Sequence, residues 1–168
     1  RYEQSGELNG LIRVRSFCLA DAHIICADVK QAKQEVGGAL DLIEYIAQTF
    51  GLEFGKNFTY RLSLGDRKDD KKYYKNDKAW DQAEDILRQT LKEMKRDFVE
   101  APDEGSFYGP KIDFHAEDAN RKSWQLATIQ LDFNLGPRLN ATYINNQDKK
   151  EHPIIIHRAL LGSFERMF

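Results

Sequence analysis

The sequence predicts an α+β fold in which an antiparallel β-sheet is flanked by helices. Three observations carry this: extended segments gather at the two ends of the chain, two helix-periodic runs lie between them, and strand and helix do not alternate as in a parallel βαβ repeat. A chain of 168 residues, 41% of them hydrophobic, is the size of one domain with an ordinary core.

From Arg1 to Ile25 the order is strand, turn-rich loop, strand, with Gln4-Ser5-Gly6 and Asn9-Gly10 as turn residues, which predicts a long hairpin. Asp28 followed by Gln31 marks a helix start, Leu40, Ile43, Ala47 and Phe50 recur at helical spacing, and Gly51 closes the run. Gly37-Gly38 falls inside it and costs about 1 kcal/mol per glycine against alanine, so a bend or a later start is expected there. Phe58 to Leu64 alternates as a strand. The polar stretch Arg67 to Lys78 reads as an exposed loop that buries nothing. A second helix starts near Asp77, with Trp80, Ala83, Leu87, Leu91 and Met94 as its core stripe. Strands follow at Lys111 to Ala116, Ser123 to Phe133 and Pro153 to His157, the last running into a helix, with turns at 117–120 and 145–148.

Composition narrows the function classes. The 25 basic and 27 acidic residues nearly cancel, so a nucleic-acid contact would have to come from local patches. Cys18 and Cys26 form no CxxC pair, which fits neither a disulfide framework nor a zinc knuckle and suggests a reducing cytoplasm. No apolar run approaches the roughly 18 residues of a membrane span, and neither a Rossmann nor a P-loop glycine pattern is present. The chain opens on Arg1 in a strand-like context and stops at Phe168 inside an amphipathic segment, so a piece of a longer protein is expected.

Three clusters could carry chemistry. In the hairpin, Arg1 and Glu3 share one strand face, and Arg13, Arg15 and Phe17 share another, with Asp21 and His23 beyond. Arginine forks bind phosphate and an aromatic ring stacks a base, so the set suits a nucleotide; a solvated hairpin with cross-strand ion pairs is the open alternative. The second cluster joins Phe107-Tyr108-Gly109-Pro110-Lys111 to a strand whose Thr128, Gln130 and Asp132 line a polar face opposite the core parity of Ala127, Ile129, Leu131 and Phe133. The third is His157-Arg158 followed by Gly162-Ser163-Phe164-Glu165-Arg166, after three isoleucines that imply a buried strand. Singly, such a histidine or arginine is more often a satisfied structural residue.

Together and in this order, these strings resemble motifs 2 and 3 of class II aminoacyl-tRNA synthetases. Arg1-x-Glu3 and Arg13-Val14-Arg15-Ser16-Phe17 resemble motif 2, and Gly162 to Arg166 resembles motif 3. Asp21-Ala22-His23-Ile24, Phe107 to Ile112, Trp124 to Phe133 and His157 to Ser163 narrow the resemblance to the threonyl-tRNA synthetase family, over essentially the whole chain. The resemblance implies a partial class II catalytic domain over 1–168, running from motif 2 to motif 3 without motif 1, editing or anticodon-binding domains. It implies ATP-dependent activation of threonine and transfer to tRNA(Thr) by a full-length homodimer in the cytoplasm, with little activity in this piece alone. A non-catalytic synthetase-like module, or another class II synthetase such as the prolyl enzyme, are the alternatives.

Residue by residue, the resemblance gives Arg1, Lys111 and Arg166 catalytic roles, with Arg1 and Arg166 at the phosphates and Lys111 lining the adenylate pocket. It places ATP, carried with Mg2+, against Arg1, Glu3, Arg13, Phe17, Gln125, Thr128, Ser163 and Arg166. Asp21, Tyr108 and Gln130 would bind threonine. His23 and His157 would bind Zn2+, whose third ligand, a cysteine, is expected upstream of Arg1. The sequence departs from the family pattern at Leu19-Ala20 and at Leu126-Ala127. Gln125 and Thr128 have opposite parity, so both can face one pocket only if the strand bulges between them.

Overall fold

A computed structural model describes residues 2–167. After a 3-10 turn at Ser5–Glu7, the elements are β1 (Leu19–Cys26), α1 (Val29–Thr49), β2 (Phe58–Ser63), α2 (Asp77–Glu93), β3 (Phe98–Ala101), β4 (Lys111–Glu117) and β5 (Ser123–Asp132). Then come α3 (Leu135–Arg138), a small hairpin of β6 (Tyr143–Ile144) and β7 (Lys150–Glu151), β8 (Ile154–Ser163) and α4 (Phe164–Met167). Six strands form the main sheet in the order β1-β8-β5-β4-β2-β3, antiparallel throughout except for the β2–β3 pair.

Register sorts the side chains into two faces, because residues paired across strands point the same way. Ile24, Ile156 and Leu131 align on one face, as do Ile129, Ile112 and Leu62, and these residues form the core with Val36, Leu40 and Ile43 of α1 and Leu87 and Leu91 of α2. On the opposite face His23, His157, Gln130, Lys111 and Ser63 make one transverse row. Asp21, Ala159, Thr128, Asp113 and Arg61 make the next. The helices therefore cover one side and leave a polar side for a site.

Helix boundaries follow local chemistry. Asp28 caps α1 by accepting from the Gln31 amide at 2.8 Å, while the Gln31 side chain accepts from the amide of Ala27, the residue before the cap, at 2.8 Å. Gly37 and Gly38 neither interrupt nor delay α1, because the helix is carried by its buried face at Ala32, Val36, Ala39, Leu40 and Ile43. Asn76 caps α2. Glu44 on α1 accepts both Arg96 Nε and Nη2 at 2.6 Å and the Tyr60 hydroxyl of β2, tying three elements together, and burial followed by that bond raises the Tyr60 hydroxyl's pKa.

Three expectations need correction. The initial hairpin is not two strands: β1 begins only at Leu19, and Arg13 meets Asn9 in an isolated bridge. Glu3 draws this segment inward instead, since its carbonyl accepts from Arg15 Nε at 2.8 Å and its carboxylate from Arg13 at 3.2 Å. The strand predicted to end at His157 continues to Ser163 because β1 pairs along it as far as Leu19–Ser163. The polar loop 67–78 does bury a residue: Tyr73 packs edge-on against Trp80 at 5.3 Å and donates to Asp103. Strand β3 was not marked by alternation, and its exposed Val99 shows why. Among the described residues no helix is long and apolar enough to cross a membrane.

Candidate active site

Two irregularities at one level of the sheet open a cleft on the polar face. Between β4 and β5 the partners step from Phe114–Ala127 to His115–Gln125, leaving Leu126 as an extra residue. Between β1 and β8 the register shifts from Asp21–Ala159 to Leu19–Ser163. Gly162 closes the gap between the bulges: its φ is +63°, and a Cβ there would collide with the Leu126 carbonyl oxygen. The bulge sends Leu126 and Ala127 into the core and turns both Gln125 and Thr128 toward the same carboxylate.

That carboxylate is Asp113, 2% exposed. It accepts from Gln125 Nε2 at 2.6 Å, Thr128 Oγ1 at 3.0 Å, Ser63 Oγ at 2.7 Å and the Lys111 ammonium. No motif pointed to it, since its partners are spread over three strands and one of them depends on the bulge.

The cleft, of about 410 Å³, is lined by Glu3, Arg13, Phe17, Gln125, Thr128, Ser163 and Arg166 among others. Arg166 emerges from α4, whose first turn Ser163 caps by accepting the Arg166 amide at 3.2 Å. Its guanidinium donates to the Ile12 carbonyl at 3.0 Å and the Gln125 carbonyl at 2.7 Å, and lies 5.4 Å from the Trp124 ring centre. Among the described residues it forms no ion pair with a carboxylate. Burial pulls its pKa down, and the nearby positive charge of Arg13 adds to the shift. Two carbonyls and an aromatic face hold this cation without neutralising it, so the cleft attracts anions. Arg13 differs: Glu3 neutralises it in part.

Beside the cleft lies a second group. The His23 and His157 rings meet edge to face at 4.8 Å, brought together by direct pairing across β1 and β8. Asp132, fully buried, accepts the Asn134 and Leu135 amides with one oxygen at 2.7 and 2.9 Å and faces His157 Nε2 with the other at 3.1 Å. The Tyr108 ring packs 4.8 Å from His157, and its hydroxyl donates to Gln130. Burial raises that hydroxyl's pKa, and the charges of Asp132 and Asp21 add to the rise. With Nε2 of His157 engaged by Asp132, Nδ1 is the nitrogen left for a ligand, an arrangement common at metal-bound imidazoles. The donor set fits the beginning of a zinc site, two imidazoles, but among the described residues no three His, Cys, Asp or Glu side chains could hold a metal together. Cys26 is buried in the core, where desolvation pushes its thiol up to about 11, and Cys18 lies apart with its amide bonded to Glu165.

Of the residues singled out from sequence, the cleft thus gathers Glu3, Arg13, Phe17, Gln125, Thr128, Ser163 and Arg166. The imidazole group gathers His23, His157, Tyr108 and Gln130, with Lys111 further along the same transverse row and Asp21 on the adjoining one. Arg1 lies outside the described residues.

Comparison with known proteins gives this arrangement its relatives. Residues 1–168 match the family model described as tRNA synthetase class II core domain (G, H, P, S and T). The chain belongs to the class II tRNA synthetase core family. This class II core is 41% identical over 166 residues to a threonine–tRNA ligase of Clostridium perfringens, covering 99% of the chain and 25% of that protein. It is 43% identical over 167 residues to one of Synechocystis sp., covering 99% and 27%. A crystal structure titled the RNA binding domain of threonyl-tRNA synthetase from Cryptosporidium parvum superposes with a TM-score of 0.86 at 42% identity, covering 98% of this chain and 40% of that one. A putative threonyl-tRNA synthetase from Aeropyrum pernix gives 0.83 at 36% identity, covering 99% and 38%. The class II core therefore spans about a quarter of the length of these curated relatives.

Proposed function

We propose that the cleft is the ATP site of a threonine-activating enzyme, and that the imidazole group beside it receives the threonine. The observation that carries this reading is Arg166, a half-buried cation held by two carbonyls and left un-neutralised at the cleft wall. A triphosphate supplies the missing negative charge. The direction of its pKa shift gives the same sign: an anion bound there would reverse the depression that burial imposes.

In this reading a threonine carboxylate oxygen attacks the α-phosphorus, and the bond to pyrophosphate breaks, leaving threonyl-adenylate. The protein's part is alignment and charge stabilisation. Arg1 and Arg13 are assigned to the phosphates nearer the reacting centre, Arg166 to the terminal one, Lys111 to the developing charge, Phe17 to the base by stacking, and Glu3 to its edge. Gln125, Thr128 and Ser163 line the nucleotide. Asp21, Tyr108 and Gln130 hold threonine's polar groups, and Mg2+ arrives with ATP. His23 and His157 would hold a zinc ion that receives the amino and hydroxyl groups of threonine, with a further ligand from outside these residues. Valine, lacking that hydroxyl, would be rejected by such a site far better than serine. Transfer to tRNA(Thr), dimerisation and a cytoplasmic setting belong to the longer protein.

The test is ATP binding by this chain, followed by calorimetry, against Arg166→Ala. Loss of a charge-assisted phosphate contact should weaken binding by about 2 kcal/mol, or roughly 30-fold. Equal affinity of the variant would defeat the assignment. Threonine-dependent ATP–pyrophosphate exchange by the chain alone should be far below that of a full-length enzyme.

A further inference from the structure

We propose that Asp113 is the positioning residue of the cleft floor: it anchors the Lys111 ammonium and turns the side chains of Gln125 and Thr128 into hydrogen-bond acceptors toward the nucleotide. The proposal rests on the reading of the cleft as an ATP site, and it is carried by geometry. An ionised carboxylate only accepts. Gln125 must therefore present Nε2 to it, 2.6 Å away, which fixes the amide's orientation and leaves Oε1 for a ligand. Thr128 gives its one proton to the same oxygen at 3.0 Å, so only its lone pairs remain. The second oxygen takes Ser63 at 2.7 Å and Lys111. Because the Lys111 side chain is 14% exposed and its partner 3%, the pair lies where charge-assisted bonds are strong and rotamers are few.

The carboxylate therefore decides the polarity of the floor. Cations stand at Lys111 and Arg166, and acceptors stand between them at Gln125 and Thr128. A phosphate would be repelled from that middle stretch, and a group carrying hydroxyl donors, such as a sugar, would be drawn to it. A neutral amide at 113 has one acceptor oxygen and one NH2, so it could accept from Gln125 and Thr128 or from Ser63 and Lys111 but not from both sides, and half of the floor would lose its orientation although its shape was kept.

Shape and charge separate in two variants. Asp113→Asn keeps the volume and removes the charge; Asp113→Glu keeps the charge and adds a methylene. If Asp113 were a packing residue, Asn would be the milder change. We expect the reverse. ATP affinity should fall about tenfold in D113N and stay within about threefold of the parent in D113E. A second readout does not involve ATP: acetylation of Lys111 by an amine-reactive ester, followed by peptide mass, should accelerate about tenfold in D113N and change little in D113E. If the parent chain does not bind ATP, the ATP-site reading fails, while the lysine readout still decides whether Asp113 anchors Lys111. Should D113N not fold, the parent protein supplies the measurement. The Gln125 side-chain amide protons should exchange with solvent at least about tenfold more slowly than those of exposed Gln34. Asn milder than Glu in either readout, or a Gln125 amide exchanging as fast as that of Gln34, overturns the proposal.

Discussion

At the scale of single residues, the cleft depends on positions whose partners lie far away in sequence. Gly162 is one. Its left-handed backbone and its contact with the Leu126 carbonyl leave no room for a Cβ. Gly162→Ala should therefore lower stability by about 2 kcal/mol, read as a fall in the thermal midpoint, and should weaken ATP binding, because the displaced carbonyl belongs to the bulged strand. Much of the candidate site was legible in the sequence, since residue types such as Arg166, His23 and His157 stand in recognisable strings. What was not legible were the residues that hold them. Asp113 looks like an ordinary strand aspartate until three strands converge on it, and Asp132 looked like one member of a polar face until its second oxygen met His157. The parity conflict between Gln125 and Thr128 did announce a bulge, because period-two alternation admits no other way for both to reach one side.

At the scale of elements, periodicity identified the helices well and the strands unevenly. α1 and α2 start at their polar caps, and Leu40, Ile43, Ala47, Trp80, Ala83, Leu87 and Leu91 are buried as read from the sequence, whereas Phe50 and Met94 fall at the C-caps and Phe50 is exposed. β8 was read as too short because Ala159, Leu160 and Leu161 favour helix locally, and pairing with β1 overrides that preference. β3 escaped because a four-residue edge strand gives alternation little to work on. Within α1, Gly37 and Gly38 are helical, with nothing within 4 Å of a Cβ built at either. Replacing both with alanine should raise unfolding stability by up to about 2 kcal/mol, checked by denaturant melts. An unchanged midpoint would mean that something outside this chain's own contacts is served by the pair.

At the scale of the whole molecule, the layers are joined by a polar lock as well as by the core. Glu44, Tyr60 and Arg96 bind α1, β2 and the segment after α2 at one point. Glu44→Gln leaves the guanidinium without its counterion and should cost about 2 kcal/mol, less than a fully buried pair because Arg96 is partly exposed. Because the lock lies under the helices and away from the cleft, ATP affinity measured on the folded fraction should be unchanged. The overall arrangement, one helical face and one polar face, followed from strand parity and helix stripes taken together. The parallel pairing of β3 did not follow, since nothing in a short strand's sequence records the direction of its neighbour.

The extra residue in β5 is also a matter of counting. On the Thr128 side of Leu126 the strand keeps one phase, and on the Gln125 side it keeps the opposite one. Deleting Leu126 would leave Gln125 and Thr128 two residues apart, on one face by plain alternation, and remove only the bulge; deleting Ile129 instead, with the bulge kept, would exchange floor for core along one half of the strand. The site is therefore written partly in the number of residues between its members, and a substitution scan that preserves length would never touch that part of it.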